Sequence, residues 1–312
     1  MAGLPSALTR PELEAALARS SYLADAKTTL VLWLALRLER PLLVEGPAGV
    51  GKTDLARAAA EALGRPLIRL QCYEGLDESK ALYEWDYAKQ VLYTQLLREA
   101  VGAETAGSKT LAEAVERVAR ADVAFFGPSF LIARPLLQAL TSDVPVVLLV
   151  DEVDRADPEF EAFLLEILAE QQASIPEIGT VKAKHPPLVF LTSNGARDMT
   201  DALRRRCLHL FLDYPPPSRE IQILELHVPG IGAALAAELA EFMRKIRAME
   251  LRKLPSISES LDWARALLAL GRSALDRETV EATLGVILKY EEDRAKVEPK
   301  TAALLATQSP PK

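Results

Sequence analysis

The chain has 312 residues, with 37 Lys and Arg against 44 Asp and Glu, a formal net charge of −7. At roughly 150 residues per domain this is room for about two domains, each with its own core. Apolar residues make up 49% and charged ones 26%, the composition of a soluble globular protein. The longest uncharged stretches run to about 11 residues, as in Val123 to Ala133, short of the ~18 that a membrane span needs. No basic segment followed by an apolar core marks an export signal, so a cytoplasmic protein is expected. A mildly acidic balance offers no field for nucleic acid or anionic lipid. Cys72 and Cys207 lie beside apolar runs and read as small buried hydrophobes. His185, His209 and His227 are far apart and have no metal-ligand spacing.

Thr9-Arg10-Pro11-Glu12 predicts a capping box that opens the first helix, and a second helix follows through Leu30, Trp33, Leu34 and Leu38. Pro41 to Glu45 is a short apolar run before a glycine-rich turn; Thr53 to Leu63 reads as a helix closed by Gly64. Pro66 to Gln71 reads as a strand, so strand, turn, helix and strand open a parallel α/β sheet. Between Tyr73 and Tyr93, Tyr83, Trp85 and Tyr87 alternate with other residues, which predicts an exposed hairpin or extended insert. Helices are expected around Leu96, over 111–118 and over 130–140. Pro145 to Val150 is an apolar strand ending in Asp151-Glu152, and Asp157-Pro158-Glu159 caps a helix reaching about Gln171. Residues 173–183 look like a second hairpin, while 188–191 and 208–212 complete five strands. Tyr214-Pro215-Pro216-Pro217 cannot continue a helix or a central strand and reads as a linker. Helices follow over about 218–227, 233–249, 258–270 and 276–290. The expected division is an α/β core over 1–213 with inserts near 73–93 and 172–185. A linker at 214–217, a helical domain over 218–292 and a flexible tail over 293–312 complete it.

Gly46-Pro47-Ala48-Gly49-Val50-Gly51-Lys52-Thr53 matches GxxxxGK[ST] in the context that confirms it, after a strand and before a helix. Its glycines let several N–H groups face one phosphate, and the helix adds its positive end. Lys52 is expected to reach the β- and γ-phosphates of ATP and Thr53 to ligate Mg²⁺. Val146 to Val150 delivers Asp151 and Glu152 to the end of a strand where ligands bind in open α/β sheets. Asp151 would hold the Mg²⁺, and Glu152 would orient and deprotonate the attacking water. A kinase needs no base for water, so Glu152 favours hydrolysis. Leu191-Thr192-Ser193-Asn194 ends the next strand, placing Asn194 to bond the γ-phosphate or the water. In Asp201 to Cys207, three arginines end a helix. Some of them offset its dipole, and Arg206, then Arg205, is the candidate finger lent to a neighbouring subunit, with Arg155 a third choice.

In this order, phosphate loop, strand-borne acids, strand-borne Asn, helix-end Arg and C-terminal helices resemble the AAA+ ATPases. Asp151 to Asp157, Pro176 to Thr180, Leu191 to Asn194 and Ala202 to Cys207 look like the MoxR branch. Gln71 to Asp77 and Tyr83-Glu84-Trp85 are similar to the CoxD-type proteins linked to maturation of carbon monoxide dehydrogenase. The resemblance covers about Leu13 to Tyr290. It implies a five-stranded P-loop core with a small all-α lid, assembly as an ATP-dependent ring, usually a hexamer, and a partner with a von Willebrand factor A domain. It further implies a chaperone role in inserting or activating a metal cofactor. The hairpins then match inserts that project toward partners, so Tyr83, Trp85 and Tyr87 either contact the client or pin the insert to the sheet. Where many such lids carry a sensing arginine, this chain has Ser256 to Ser260, with Arg265 further on.

The expected function is Mg²⁺-dependent ATP hydrolysis in a ring that remodels a client metalloenzyme, a molybdenum hydroxylase of the carbon monoxide dehydrogenase type. The competing readings are a motor on nucleic acid, disfavoured by the acidic balance and few basic clusters, a nucleotide-gated scaffold with little turnover, and a metabolite kinase.

Overall fold

A computed structural model describes residues 8–93, 95, 127–176 and 178–306. The helices expected around Leu96 and over 111–118 lie outside these residues, as do Glu177 and the last part of the expected tail. Nine strands form among the described residues. They are β1 (Leu42–Glu45), β2 (Leu67–Gln71), β3 (Tyr83–Trp85), β4 (Leu131–Ala133), β5 (Val147–Asp151), β6 (Gln172–Ile175), β7 (Gly179–Lys182), β8 (Leu188–Ser193) and β9 (Leu208–Phe211).

Five of them make one sheet in the order β2-β5-β8-β1-β9, the five anticipated from the apolar runs. β5 runs parallel to β2, with Gln71 opposite Asp151, and parallel to β8, with Val150 opposite Leu191. The Leu208 N–H donates to the Pro41 carbonyl and the Leu212 N–H to the Glu45 carbonyl, both at 2.8 Å. Every residue of β5 and β8 is buried, whereas β2 and β9, at the edges, alternate with solvent. That is why the central strands read as unbroken apolar runs and the edge strands do not.

The chain separates into two compact units, residues 1–30, 44–58 and 210–312 in one and residues 31–43 and 59–209 in the other. In the second, the core gathers Leu148 and Val150 of β5, Val189 and Leu191 of β8, and one face of the helix Pro158–Glu170. That face is Phe160, Leu164 and Ile167, spaced by four and three residues, as helical burial on one side requires. Asp157 makes no side-chain cap bond to this helix; Pro158 at its first position provides the start.

The aromatic segment departs from the expected local hairpin. β3 pairs antiparallel with β4, Tyr83 opposite Ala133, across a long stretch of sequence. Residues 87–93 are helical rather than extended. Tyr83 and Trp85 meet edge to face at 5.7 Å, and Tyr83 packs on the core, while Tyr87 is exposed. The helix expected over 130–140 is likewise divided into β4 and a helix Pro135–Thr141. Proline at that helix's first turn, with Arg134 extended before it, sets the later start. The second hairpin forms as read, β6 against β7.

In the first unit, Thr9 and Glu12 form the predicted capping box of the helix Arg10–Arg19. The C-terminal helices Pro217–His227, Ala233–Arg247, Ile257–Ala269 and Arg277–Ile287 bury Leu224, Leu239, Phe242, Trp263 and Leu284 together. Phe242 and Trp263 meet at a tilt, ring centres 5.3 Å apart, and the indole N–H donates to Thr283 Oγ1 at 2.8 Å. Pro217 belongs to its helix, at the first position, not to the linker. The described part of the expected flexible tail is ordered: Glu291–Val297 and Thr301–Leu305 are helices, and Val297 and Thr301 are fully buried. Asp293 holds this segment, accepting from the N–H groups of Arg252 at 2.7 Å and Lys253 at 3.2 Å. The weak periodicity of so short a run hid both helices.

A buried ion pair anchors the C-terminal helices. Arg247 donates to both Glu220 oxygens at 2.6 and 2.9 Å, to Ser260 Oγ and to the Pro255 carbonyl, and lies 4.8 Å over the Tyr214 ring. Arg247→Ala leaves Glu220 buried and uncompensated, so a loss of about 3–5 kcal/mol is expected, read as a lower urea midpoint. Arg247→Met with Glu220→Met should recover most of it. Cys72 and Cys207 are buried as anticipated, and burial pushes both thiols up to about 12, helped at Cys72 by the acids of Asp151, Asp154 and Glu152 and opposed at Cys207 by Arg40. Both therefore stay protonated at pH 8, and a thiol reagent should label neither until denaturant is added.

Candidate functional site

The phosphate loop belongs to the first unit. β1 ends at Glu45, three glycines turn the chain, and the helix Lys52–Ala62 begins. A Cβ at Gly46 would stand 1.9 Å from the Leu212 carbonyl oxygen, and one at Gly49, whose φ is +73°, 2.3 Å from Ser256 Oγ. Only glycine fits either position. The Lys52 ammonium is buried and donates to the Gly46 and Pro47 carbonyls at 2.8 and 2.7 Å, which folds it back over the loop. Thr53 follows in the first turn of the helix.

The same unit holds a cavity of about 910 Å³ beside the loop, lined by Gly49 and Gly51 together with Tyr22, Ile223, Ile257 and Arg265. Its size and its mixture of apolar walls with polar groups suit a nucleotide-sized ligand. Burial, then the carboxylates of Asp54 and Asp25, raises the Tyr22 phenol above its ordinary range, and Arg219 opposes them, so Tyr22 is a neutral wall. Arg265, the residue noted beyond the lid serines, lines this cavity and pairs with Asp262 at 3.0 Å. Ser256 caps the helix Ile257–Ala269 through a box with Glu259.

The acids belong to the second unit. Asp151 ends β5 almost fully buried; its Oδ2 accepts from Arg69 Nη2 at 2.6 Å and Nε at 3.1 Å, and its Oδ1 from the Thr192 hydroxyl at 2.5 Å. Glu152 adopts the left-handed conformation, φ +56° and ψ +49°. Such backbone in a non-glycine residue costs about 1 kcal/mol or more and collects at functional sites. Here the Glu152 N–H donates to Thr192 Oγ1 at 2.9 Å, so one hydroxyl serves both acids. The Glu152 carboxylate accepts from Asn194 Nδ2 at 3.2 Å on one oxygen, and from Gln71 Nε2 at 3.2 Å and Arg155 Nε at 3.0 Å on the other.

Asp151, Glu152 and Asn194, named from separate stretches of sequence, are thus brought together at the ends of β5 and β8. Arg155, read as an interface candidate, is an ion-pair partner of Glu152 with a largely exposed side chain. Arg205 and Arg206 stand exposed at the end of the helix Asp201–Arg206. The guanidinium of Arg40 donates to the carbonyls of Arg205 at 2.7 Å and Arg206 at 3.2 Å and so caps that helix end. Sequence reasoning missed Arg40, Arg69, Gln71, Thr192 and Asp154. The signal for Arg69 and Gln71 was their place, two residues apart at the carboxyl end of an edge strand, and hence on one face.

The described residues contain no group of three or more His, Cys, Asp and Glu side chains placed to hold a metal. None of their helices is long and apolar enough to cross a membrane.

Residues 41–207, more than half of the chain, match the AAA domain of the dynein-related subfamily. A stretch of 67 residues is 42% identical to midasin of Giardia intestinalis, covering 20% of this chain and 1% of that protein. Protein NorQ of Paracoccus denitrificans is 26% identical over 73% of this chain and 73% of its own length. The gas vesicle ATPase GvpN of Ancylobacter aquaticus is 26% identical over 72% of this chain, which spans 60% of that protein. The matched span begins at the phosphate-loop strand and ends with the helix that carries the three arginines, so it contains the loop, Asp151, Glu152, Asn194 and those arginines. The chain therefore belongs to the AAA family, in its dynein-related subfamily, and is an ATP-hydrolysing enzyme of the MoxR type.

Proposed function

We propose that this ATPase works in the cytosol as an oligomeric ring, a hexamer, and spends its ATP on maturing a client metalloenzyme, a molybdenum hydroxylase of the carbon monoxide dehydrogenase type. The observation that carries the hydrolytic half is the Glu152 carboxylate, held at the end of β5 by Asn194 Nδ2. Glu152 is the base that takes a proton from the attacking water, and Asn194 fixes the oxygen that receives it. The Lys52 ammonium exchanges its loop carbonyls for the β- and γ-phosphates, and the loop amides take the remaining oxygens. Glycines at 46 and 49 are needed because nothing larger fits there.

The Thr53 hydroxyl and the Asp151 carboxylate would hold Mg²⁺. They are hard oxygen donors of the kind that ion takes, and the Asp151 carboxylate is held in place here by two hydrogen-bond donors, Arg69 and Thr192. When bound, the ion neutralises charge on the phosphates. Arg206, with Arg205 second, is the arginine offered to a neighbouring subunit; its exposure at a helix end whose carbonyls Arg40 already caps leaves it available for that role.

The client half rests on the resemblance of Gln71 to Asp77 and Tyr83 to Trp85 to CoxD-type proteins, and on the alignment with NorQ along most of both chains. The geometry adds a physical link. Gln71, the first residue of that segment, touches the catalytic glutamate. Exposed Tyr73 and Tyr87 lie within and beyond it, open to a client or to a partner with a von Willebrand factor A domain.

Lys52→Ala should abolish ATP binding, and Glu152→Gln should keep ATP bound while turnover falls by about 10²-fold or more, both measured by fluorescent-nucleotide titration and phosphate release. Wild-type hydrolysis in Glu152→Gln would remove the assignment. Tagged Glu152→Gln, purified from the native host with ATP and with ADP, should retain a molybdenum-enzyme subunit only with ATP. Replication proteins or nucleic acid in the eluate would favour the motor reading, and a monomer under ATP would end the ring.

A further inference from the structure

We propose that Asp154 is a positioning residue for hydrolysis. It clamps the turn after β8 so that Asn194 faces Glu152, an inference that rests on the roles given above to those two residues. Asp154 lies in the middle of the short 3₁₀ turn Val153–Arg155, which Glu152 opens in its left-handed conformation. Its side chain is only 3% exposed. One oxygen, Oδ2, accepts from two backbone amides of the turn after β8, the Asn194 N–H at 3.0 Å and the Ala196 N–H at 2.8 Å. The other, Oδ1, is buried with no hydrogen-bond partner among the described residues.

Burying a carboxylate is costly, and leaving one of its oxygens unsatisfied adds to the cost. Such a group persists where its remaining contacts are demanded by the site. Those contacts fix the backbone on either side of Gly195, immediately where the Asn194 amide leaves the strand for Glu152 Oε1 at 3.2 Å. Two turns that carry the base and its amide partner are thereby joined twice, once by the side chains of Glu152 and Asn194 and once by Asp154 on the main chain. Without the second link, Asn194 retains its hydrogen-bonding group but not its placement, and small displacements of that kind cost rate rather than affinity.

The test compares Asp154→Ala, Asp154→Asn, Asn194→Ala and the double variant Asp154→Ala/Asn194→Ala. Asp154→Ala should lower kcat about tenfold while the Kd for a fluorescent ATP analogue stays within about twofold. Asp154→Asn keeps an oxygen for both amides and should restore most of the rate. Because Asp154 acts through Asn194, removing it from Asn194→Ala should cost less than about twofold more. Hydrogen exchange should quicken in peptides covering 191–198 in Asp154→Ala and not in Asn194→Ala. If Asn194→Ala turns over like wild type, the role of Asn194 fails and the proposal with it. If Asn194→Ala is slow but Asp154→Ala is not, or if the two losses multiply, the proposal alone is overturned. Should Asp154→Ala fail to melt cooperatively, Asp154→Glu decides: the charge stays but moves by one methylene, and an unchanged kcat with unchanged exchange refutes the clamp.

Discussion

A single hydroxyl organises the carboxyl ends of β5 and β8. Thr192 Oγ1 donates to the Asp151 carboxylate and accepts from the Glu152 N–H, so it fixes two adjacent acids from the neighbouring strand. The bond is available because β5 and β8 run parallel in register, with Val150 opposite Leu191, and both are buried throughout. In that setting a polar group has no water to fall back on, and each of these groups is satisfied by another. The left-handed turn at Glu152 is held by the same bond, since its N–H is the donor.

Electrostatics completes the arrangement. Two neighbouring carboxylates repel each other, and an opposite charge close by offsets the repulsion. Each acid here has its own cation, Arg69 for Asp151 and Arg155 for Glu152. The two pairings differ in setting. Asp151 is buried and paired with a half-exposed arginine, whereas Glu152 and Arg155 are both partly in solvent. Exposed ion pairs contribute little to stability, so the Arg155 contact orients Glu152 more than it stabilises the fold. The Arg69 contact sits on a carboxylate already out of water, where an unpaired charge would cost several kcal/mol, on the order of 3–5.

The sequence revealed those parts of the fold whose physics is local. A run of apolar residues bounded by a glycine turn or an acid pair could only be a buried strand, and all five sheet strands were visible for that reason. The capping box at Thr9 and the turn at Gly179 are likewise settled within a few residues. What was missed depends on distant partners. β3 looked like half of a hairpin because its alternation is real, but its partner is β4, far along the chain. The helices over 291–305 lack an amphipathic signature of their own and are held by Asp293 beneath the Arg252 and Lys253 amides and by Lys245 on the Leu304 and Ala306 carbonyls.

The same distinction applies within the site. Residues proposed to touch phosphate or water come in fixed local spellings, so Gly46 to Thr53, Asp151-Glu152 and Asn194 were candidates from the sequence. Residues that hold those groups in place have no spelling, because any donor at the right point in space will serve. Arg69 lies 82 residues from Asp151 and Thr192 lies 41 from it; only the parallel register of three strands brings them to one carboxylate. Arg40 illustrates the point further, since it lies 165 residues from the carbonyl of Arg205 that it caps, and it relieves the three arginines of the task their position suggested. A helix end already capped by one guanidinium does not need three more, and the side chains of Arg205 and Arg206 are exposed to solvent. The arginine cluster is therefore a surface property of this chain, set by an interaction that its own local sequence does not contain.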